Sequence, residues 1–182
     1  VAPEEFTYDD IVESNRIEKL VLPPDLIASA ETTFEWFQHN PLTMIGAKDA
    51  ATGKLIGFFN TLPINDDLFN KIKSGDFDDT NLCLEQIRQY DIPGFYKLYL
   101  CSFCIHPAYN TTAAFKVIYT SFVDFLLNLA TEREIFISDI IADGVTLKGS
   151  SLCESIGMSR IKLTTHNSKL YHAALIPPEV TT

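Results

Sequence analysis

Tyr96-Lys-Leu-Tyr-Leu-Cys-Ser-Phe-Cys-Ile-His106, then Pro107-Ala-Tyr-Asn-Thr-Thr112, then an apolar-periodic run from Ala113 to Ala130: this stretch decides how the chain folds. The first segment is dense in aromatic, aliphatic and thiol side chains and is apolar on both faces, which predicts a buried central strand. Pro107 ends it, because proline cannot donate to a ladder. From Ala113 onward Phe115, Ile118, Tyr119, Phe122, Val123, Leu126 and Leu127 recur at helical spacing. Asn110, Thr111 or Thr112 can cap that helix. A strand that feeds a helix through a tight polar turn leaves backbone N–H groups pointing outward at the helix start, a ready anion site.

Working outward, 182 residues suffice for a single domain, 1–182, with a real core. The net charge of -10 argues against a nucleic-acid partner, since phosphate backbones need clustered Lys and Arg, and leans toward cationic or amine-bearing partners. Four cysteines without a secretory signal predict reduced thiols and a cytoplasmic location. No apolar run is expected to span a bilayer, because Lys116 and Asp124 interrupt the helix from Ala113. Val1 in place of Met suggests processing or trimming.

Asp9 to Val21 reads as a surface helix, broken by Pro23-Pro24. Leu26 to His39 reads as a second helix with Ile27, Phe34 and Phe37 on one side, ended by Asn40-Pro41. Leu42 to Ala47 and Lys54 to Leu62 form a hairpin about Asp49–Gly53. Asn65 to Asp91 is an acidic insertion over a site, with helical pieces at Asp67–Lys73 and Leu82–Tyr90. Its Asp66, Asp67, Asp76, Asp78, Asp79, Glu85 and Asp91 read either as a solvated loop or as a lure for amines. Glu134 to Ile141 is a strand, Thr146 to Ile156 a helix stopped by Gly157, and Arg160–Thr165 with Lys169–Ile176 a last hairpin about His166. The order predicts an α/β fold with a mixed sheet.

Three segments now carry a resemblance: Phe34-Glu-Trp-Phe-Gln-His-Asn-Pro41, Ile105-His-Pro-Ala-Tyr109, and Leu152-Cys-Glu-Ser-Ile-Gly-Met158. With the element order, they make the chain from about Leu26 to Ile176 similar to the GNAT superfamily of acyl-CoA-dependent N-acyltransferases. The resemblance implies a mixed, mostly antiparallel twisted sheet flanked by helices, with a bulge that splays the central strands. It implies acetyl-CoA as co-substrate, with pantetheine on the backbone of Phe103, Cys104 and Ile105. Asn110, Thr111, Thr112, Ala113 and Ala114 would form the phosphate loop, and Thr146 would stand near the pantetheine arm or serve only as a helix cap. The acceptor would be a small amine or a protein amine, with no metal, nucleic acid or membrane involved.

The chain departs from that pattern at the sites of chemistry. Ala113 replaces the loop's first glycine, and Phe115 its last small residue. Glycine matters there because phosphate must approach the backbone closely; Phe115 can instead turn into the core. Where relatives place a Glu base on the central strand, this chain has Cys101 and Ser102. Cys153 stands where relatives have a proton-donating Tyr, so it is either an acid or a small core residue. Tyr99 is the next donor on the central strand. Backbone N–H groups near Cys104 and Ile105 would polarise the acyl carbonyl. On a regular strand Cys101 and Cys104 face opposite sides and do not chelate a metal together. His106 reads as a turn residue or a phosphate contact, and His172 faces solvent or cleft. No Gly-x-Ser-x-Gly elbow supports a hydrolase. The expected function is acetyl transfer to a primary amine; the alternatives are a catalytically degenerate binding module and a purely structural domain.

Overall fold

A computed structural model describes residues 3–75, 77, 82–164 and 167–176. His166, Asp76, Asp78 and Asp79 lie outside the described residues. Strands β1 (Met44–Lys48), β2 (Leu55–Ile64), β3 (Gly94–Ile105), β4 (Ile135–Gly144), β5 (Ser159–Leu163) and β6 (Lys169–Ala174) form one sheet in the order β1-β2-β3-β4-β6-β5. Among the described residues, only β3 and β4 pair in parallel. Parallel neighbours need a crossover, and helix α4 (Thr112–Arg133) supplies it. The expected mixed, mostly antiparallel sheet is thus present.

Two packed layers flank the sheet. On one face Ile118, Phe122 and Phe125 of α4 pack with Phe59, Leu98 and Leu100, next to helix α5 (Leu147–Ser155). On the other, α1 (Tyr8–Val21), α2 (Ala30–His39) and α3 (Asp66–Ser74) contribute Ile17, Trp36 and Leu68 against Phe58, Leu62 and Tyr99. As expected for a central strand, β3 is covered on both faces.

One irregularity in β3 organises the rest. Asn60 stands opposite Ser102 and Thr61 opposite Leu100, so Cys101 is an extra residue, a β-bulge. Before it Tyr96, Leu98 and Leu100 face α4; after it Phe103 and Ile105 do. Cys101 packs with Tyr99 and Trp36, and Cys104 with Ile17 and Phe58. Both thiols therefore lie on the α1–α3 face, which corrects the opposite-face expectation drawn from regular alternation. A bulge also bends its strand. The β3–β4 ladder ends at Leu100 opposite Ala142. Past that point the ladders of β3 with β2 and of β4 with β6 go on while the one between β3 and β4 does not, so the two strands part as expected.

Several local expectations are corrected. Helix α2 begins at Ala30, capped by Ser29, because Pro24–Leu26 forms a separate 3-10 turn. Its buried side is Thr33 and Trp36, while Phe34 stacks with Phe37 and meets Tyr8 of α1 edge-on. Leu82–Tyr90 is not a helix: it holds a 3-10 turn at Leu84–Gln86 and a bridge from Ile87 to Ile64. Helix α3 forms where expected, capped by Asn65 and closed by Gly75 in the left-handed region. Helix α4 is, by length and composition, apolar enough to cross a membrane, contrary to the sequence expectation; a core helix passes the same test, and α4 buries Ile118, Phe122 and Leu129 in the fold.

Candidate active site

Helix α1 carries more than a surface face. Thr7 and Asp10 close a capping box at its start, and Lys48 pairs with Asp10 at 2.8 Å. Ile11, Ser14, Asn15 and Glu18 then follow at three-, four- and seven-residue offsets and are all buried. Asn15 Nδ2 donates to the Ala28 carbonyl at 2.7 Å, which ties the 22–29 link to the helix. Glu18, only 9% exposed, accepts a hydrogen bond from Ser102 Oγ at 2.6 Å. A buried carboxylate needs such a partner, and a bond to a charged acceptor is among the stronger kinds. The bulge is what turns Ser102 toward α1.

Where β3 and β4 part, a cavity of about 80 Å³ runs between them. Tyr99, Ser102 and Phe103 line it from β3, Asp143 from β4, and Thr146 and Cys153 from the α5 segment. Leu22, Leu26 and Phe77 line it from the α1–α3 side. A smaller cavity of about 20 Å³ adjoins it under α1 and α2, lined by Glu18, Thr33, Trp36 and Asn60. Leu22, Leu26, Cys101 and Ser102 line both, so the two spaces meet at the bulge.

Local chemistry sets α5 against this opening. Thr146 Oγ1 accepts from the Gly149 N–H at 3.0 Å and caps the helix, so Thr146 is both a cap and a cavity wall. Gly144 lets α5 come close: a Cβ there would lie 2.8 Å from both Ser150 Oγ and the Tyr171 ring. Ser168 Oγ donates to Asp143 at 2.6 Å. Burial pushes the Cys153 thiol up to about 11, with Asp143 and Glu154 adding to the effect. Cys104 is raised further, by burial first and by Glu18 second, so it stays an inert thiol.

The turn into α4 follows directly on the end of β3. His106 Nδ1 accepts from the Ala108 N–H, making it a turn residue. Thr111 is the cap, and its hydroxyl takes the Ala114 N–H at 3.2 Å. Thr112 and Ala113, the first two helical residues, have N–H groups that no helical carbonyl can reach. Phe115 turns inward, edge-on to Phe103 at 5.9 Å and stacked on Tyr119 at 5.7 Å. It therefore leaves the turn clear, and only the Ala113 methyl narrows the approach relative to glycine. The turn fits a phosphate held by two backbone donors, and the β3 edge from Cys101 to Ile105 fits an extended arm.

Of the residues singled out in sequence, Tyr99, Ser102, Phe103, Thr146 and Cys153 share the strand cavity. Cys104 and Ile105 turn their side chains into the two packing layers and offer only backbone. Asn110 and Thr112 stay at the helix start, while Thr111, Ala113 and Ala114 line an outer slot beside Lys48. Glu18 was not anticipated. Its signal was a polar run, Ser14, Asn15 and Glu18, on the same helical face as Ile11. His172 Nε2 lies 2.8 Å from Asp139 Oδ1, under Phe69 rather than in the cavity lining.

No family model and no curated protein matches this sequence. Among solved structures it is similar to GphF GNAT-like decarboxylase in complex with isobutyryl-CoA, with a TM-score of 0.63 at 12% identity over 94% of this chain and 97% of that one. It is similar to the loading GNATL domain of CurA from Lyngbya majuscula, with a TM-score of 0.62 at 11% identity over 93% and 94%. It is also similar to mosquito arylalkylamine N-acetyltransferase like 5b, with a TM-score of 0.57 at 14% identity over 92% and 96%. At such identities the likeness concerns the fold.

Proposed function

We propose that this chain, which has the fold of the GNAT superfamily, is an N-acyltransferase that moves an acetyl group from acetyl-CoA to a primary amine. One observation carries the reading: the cavity where β3 and β4 part meets, at the bulge, the space beside a buried Glu18–Ser102 pair.

The co-substrate supplies an activated acyl thioester. Thr112 and Ala113 N–H groups would hold its pyrophosphate, and the β3 edge beyond Leu100, where the ladder to β4 ends, would take the pantetheine arm beside Phe103 and Thr146. Backbone N–H groups near Cys104 and Ile105 would polarise the acyl carbonyl, where charge develops in the transition state. An amine with a pKa of about 10 arrives protonated in water, and burial disfavours its charged form. Glu18 takes the amine's proton, with the Ser102 hydroxyl passing it on and fixing the carboxylate. This replaces the central-strand base that the sequence lacks. Cys153 returns a proton to the leaving thiolate. Its thiol stays protonated at neutral pH, yet at about 11 it is a weaker acid than an ordinary thiol at about 8.5. Its help is accordingly modest, and Tyr99 is the other donor in the same cavity.

The test is calorimetric titration with acetyl-CoA and CoA, followed by thiol release in the presence of simple amines. Binding of both, with amine-dependent release, supports the reading. Absence of heat at millimolar ligand sinks it and leaves a binding module for another ligand.

A further inference from the structure

We infer that Asn60 and Thr33 bind the acceptor's amino group by two of its N–H bonds, and that the site therefore takes primary amines and turns away N-alkylated ones. The inference rests on the acyltransferase reading and deepens it.

Its basis is two buried polar side chains that the fold leaves unused. Asn60 is 3% exposed and stands opposite Ser102 in the β2–β3 ladder, so the two side chains reach toward α1 and α2 from adjacent strands. Thr33, 6% exposed, comes from the buried side of α2. Both line the smaller cavity together with Glu18 and Ser102. Among the described residues, neither the Asn60 amide nor the Thr33 hydroxyl has a hydrogen-bond partner. Buried polar groups are nearly always paired, because an unpaired one costs stability. Two of them facing one small space beside a proton acceptor point to a ligand that pairs them.

Size and hydrogen-bond count fix what that ligand offers. The cavity measures about 20 Å³, and one water needs roughly 10–15 Å³. An amino group is the size of a water, and a methyl group beside it would exceed the space. The remainder of the acceptor leaves by the adjoining cavity, which meets this one at the bulge. An arriving ammonium has three N–H bonds. One points to Ser102 Oγ, a hydroxyl oxygen that can accept while its own proton is donated to Glu18 at 2.6 Å. The other two point to Asn60 Oδ1 and Thr33 Oγ1. As the ammonium proton passes to Ser102 Oγ, the Ser102 proton passes to Glu18 Oε1. The hydroxyl is restored, the carboxylate is neutralised, and the amine keeps two N–H bonds and gains a lone pair for the acyl carbon. A secondary amine at that stage keeps one N–H. It leaves Asn60 or Thr33 unpaired and presses an alkyl group against a polar wall. Sites built on buried hydrogen bonds reject analogues that lack them more strongly than apolar pockets reject bulk.

Thiol release should be measured with acetyl-CoA and two acceptors that differ by one methyl group, butylamine and N-methylbutylamine. The expected kcat/KM favours butylamine by about 10²-fold or more. Asn60→Leu keeps the branched shape and removes the amide. Its kcat/KM for butylamine should fall by about tenfold or more, and the preference should narrow by about tenfold. Its melting temperature should hold or rise, because an unpaired amide has left the interior. Thr33→Val should narrow the preference in the same way, and Thr33→Ser, which keeps the hydroxyl, should retain it. Equal turnover of the two amines by the wild-type protein overturns the inference, leaves acyl transfer standing and makes the cavity a seat for water only. Asn60→Leu and Thr33→Val proteins that melt earlier yet keep the preference overturn it as well, since both side chains would then be structural. Release with neither amine refutes the acyl-transfer reading and this inference with it.

Discussion

Glu18→Gln is the sharpest perturbation of the proposed site. Glutamine keeps the volume and one acceptor oxygen, so the Ser102 hydroxyl retains a partner at the position now 2.6 Å away. The bond changes from charge-assisted, about 1.5–3 kcal/mol, to neutral, about 0.5–1.5 kcal/mol, so stability should fall by about 1 kcal/mol. Catalysis should fall far more. Loss of a positioned general base costs about 10²–10⁴ in rate, which at about 1.4 kcal/mol per decade is roughly 3–5 kcal/mol of transition-state stabilisation. The assays are kcat by thiol release, acetyl-CoA affinity by calorimetry, and thermal melting. Turnover should collapse while affinity holds and the melting temperature drops slightly. The acid limb of the kcat/KM profile should flatten as well, because the titrating base is gone. Ser102→Ala should reproduce part of the loss, and the double variant should cost less than the sum if the pair works as one unit. A Glu18→Gln protein with unaltered turnover, destabilised by the expected amount, would refute the base assignment and leave Glu18 as a structural tie between α1 and β3.

Other outcomes are equally concrete. Cys153→Ser should lower kcat with acetyl-CoA affinity unchanged; unaltered turnover would make Cys153 a packing residue and move the proton donor to Tyr99, tested by Tyr99→Phe. Burial alone would raise Asp10, but the hydrogen bonds from Lys48 and Thr7 outweigh it and hold the carboxyl below its ordinary value. A depressed carboxyl stabilises the fold above its unfolded pKa of about 3.9, and that stability is lost as pH falls through the lower folded value. Lys48→Met should therefore lower the melting temperature at neutral pH, with the gap to wild type closing as pH falls below about 4; a gap independent of pH would disprove the pairing. Gly144→Ala would place a methyl 2.8 Å from Ser150 Oγ and the Tyr171 ring. Overpacking of that kind costs about 1–3 kcal/mol, and an unshifted denaturant midpoint would contradict it.

The strands and the long helix were legible because their patterns are local. β3 carries apolar residues on both faces, and the run from Phe115 through Ile118 and Phe122 to Leu127 has helical spacing, although the buried side of α4 goes on through Phe125 and Leu129 and leaves Leu127 exposed. The turn between them followed from Pro107 and the threonines. The element order yielded the mixed sheet, and the splay of its central strands came with the resemblance. What escaped the sequence depended on partners distant in the chain. Glu18 looked like one charge among many on a surface helix until Ser102, 84 residues later, met it. Phe115 read as either an obstruction or a core residue, and its contacts with Phe103 and Tyr119 decide for the core. The face shared by Cys101 and Cys104 turned on a register shift that only β2 reveals. Leu82 to Tyr90 suggested a helix, yet Ile87 found a bridge to Ile64, which a local pattern cannot foresee.

Cys101 makes the wall of this sheet sensitive to counting. Side chains alternate with a period of two, and the extra residue of a bulge stands outside that count. Deleting Cys101 would put β3 back in step with β2, keep Ser102 toward α1 and Phe103 toward α4, and take away the bend that goes with the bulge. The strands, helices and apolar content would be nearly unchanged and Glu18 would still meet Ser102, but the slit between β3 and β4 would narrow. Exchanging Cys101 for another small residue would leave the doorway open. At this one place the number of residues governs access more than their identity does.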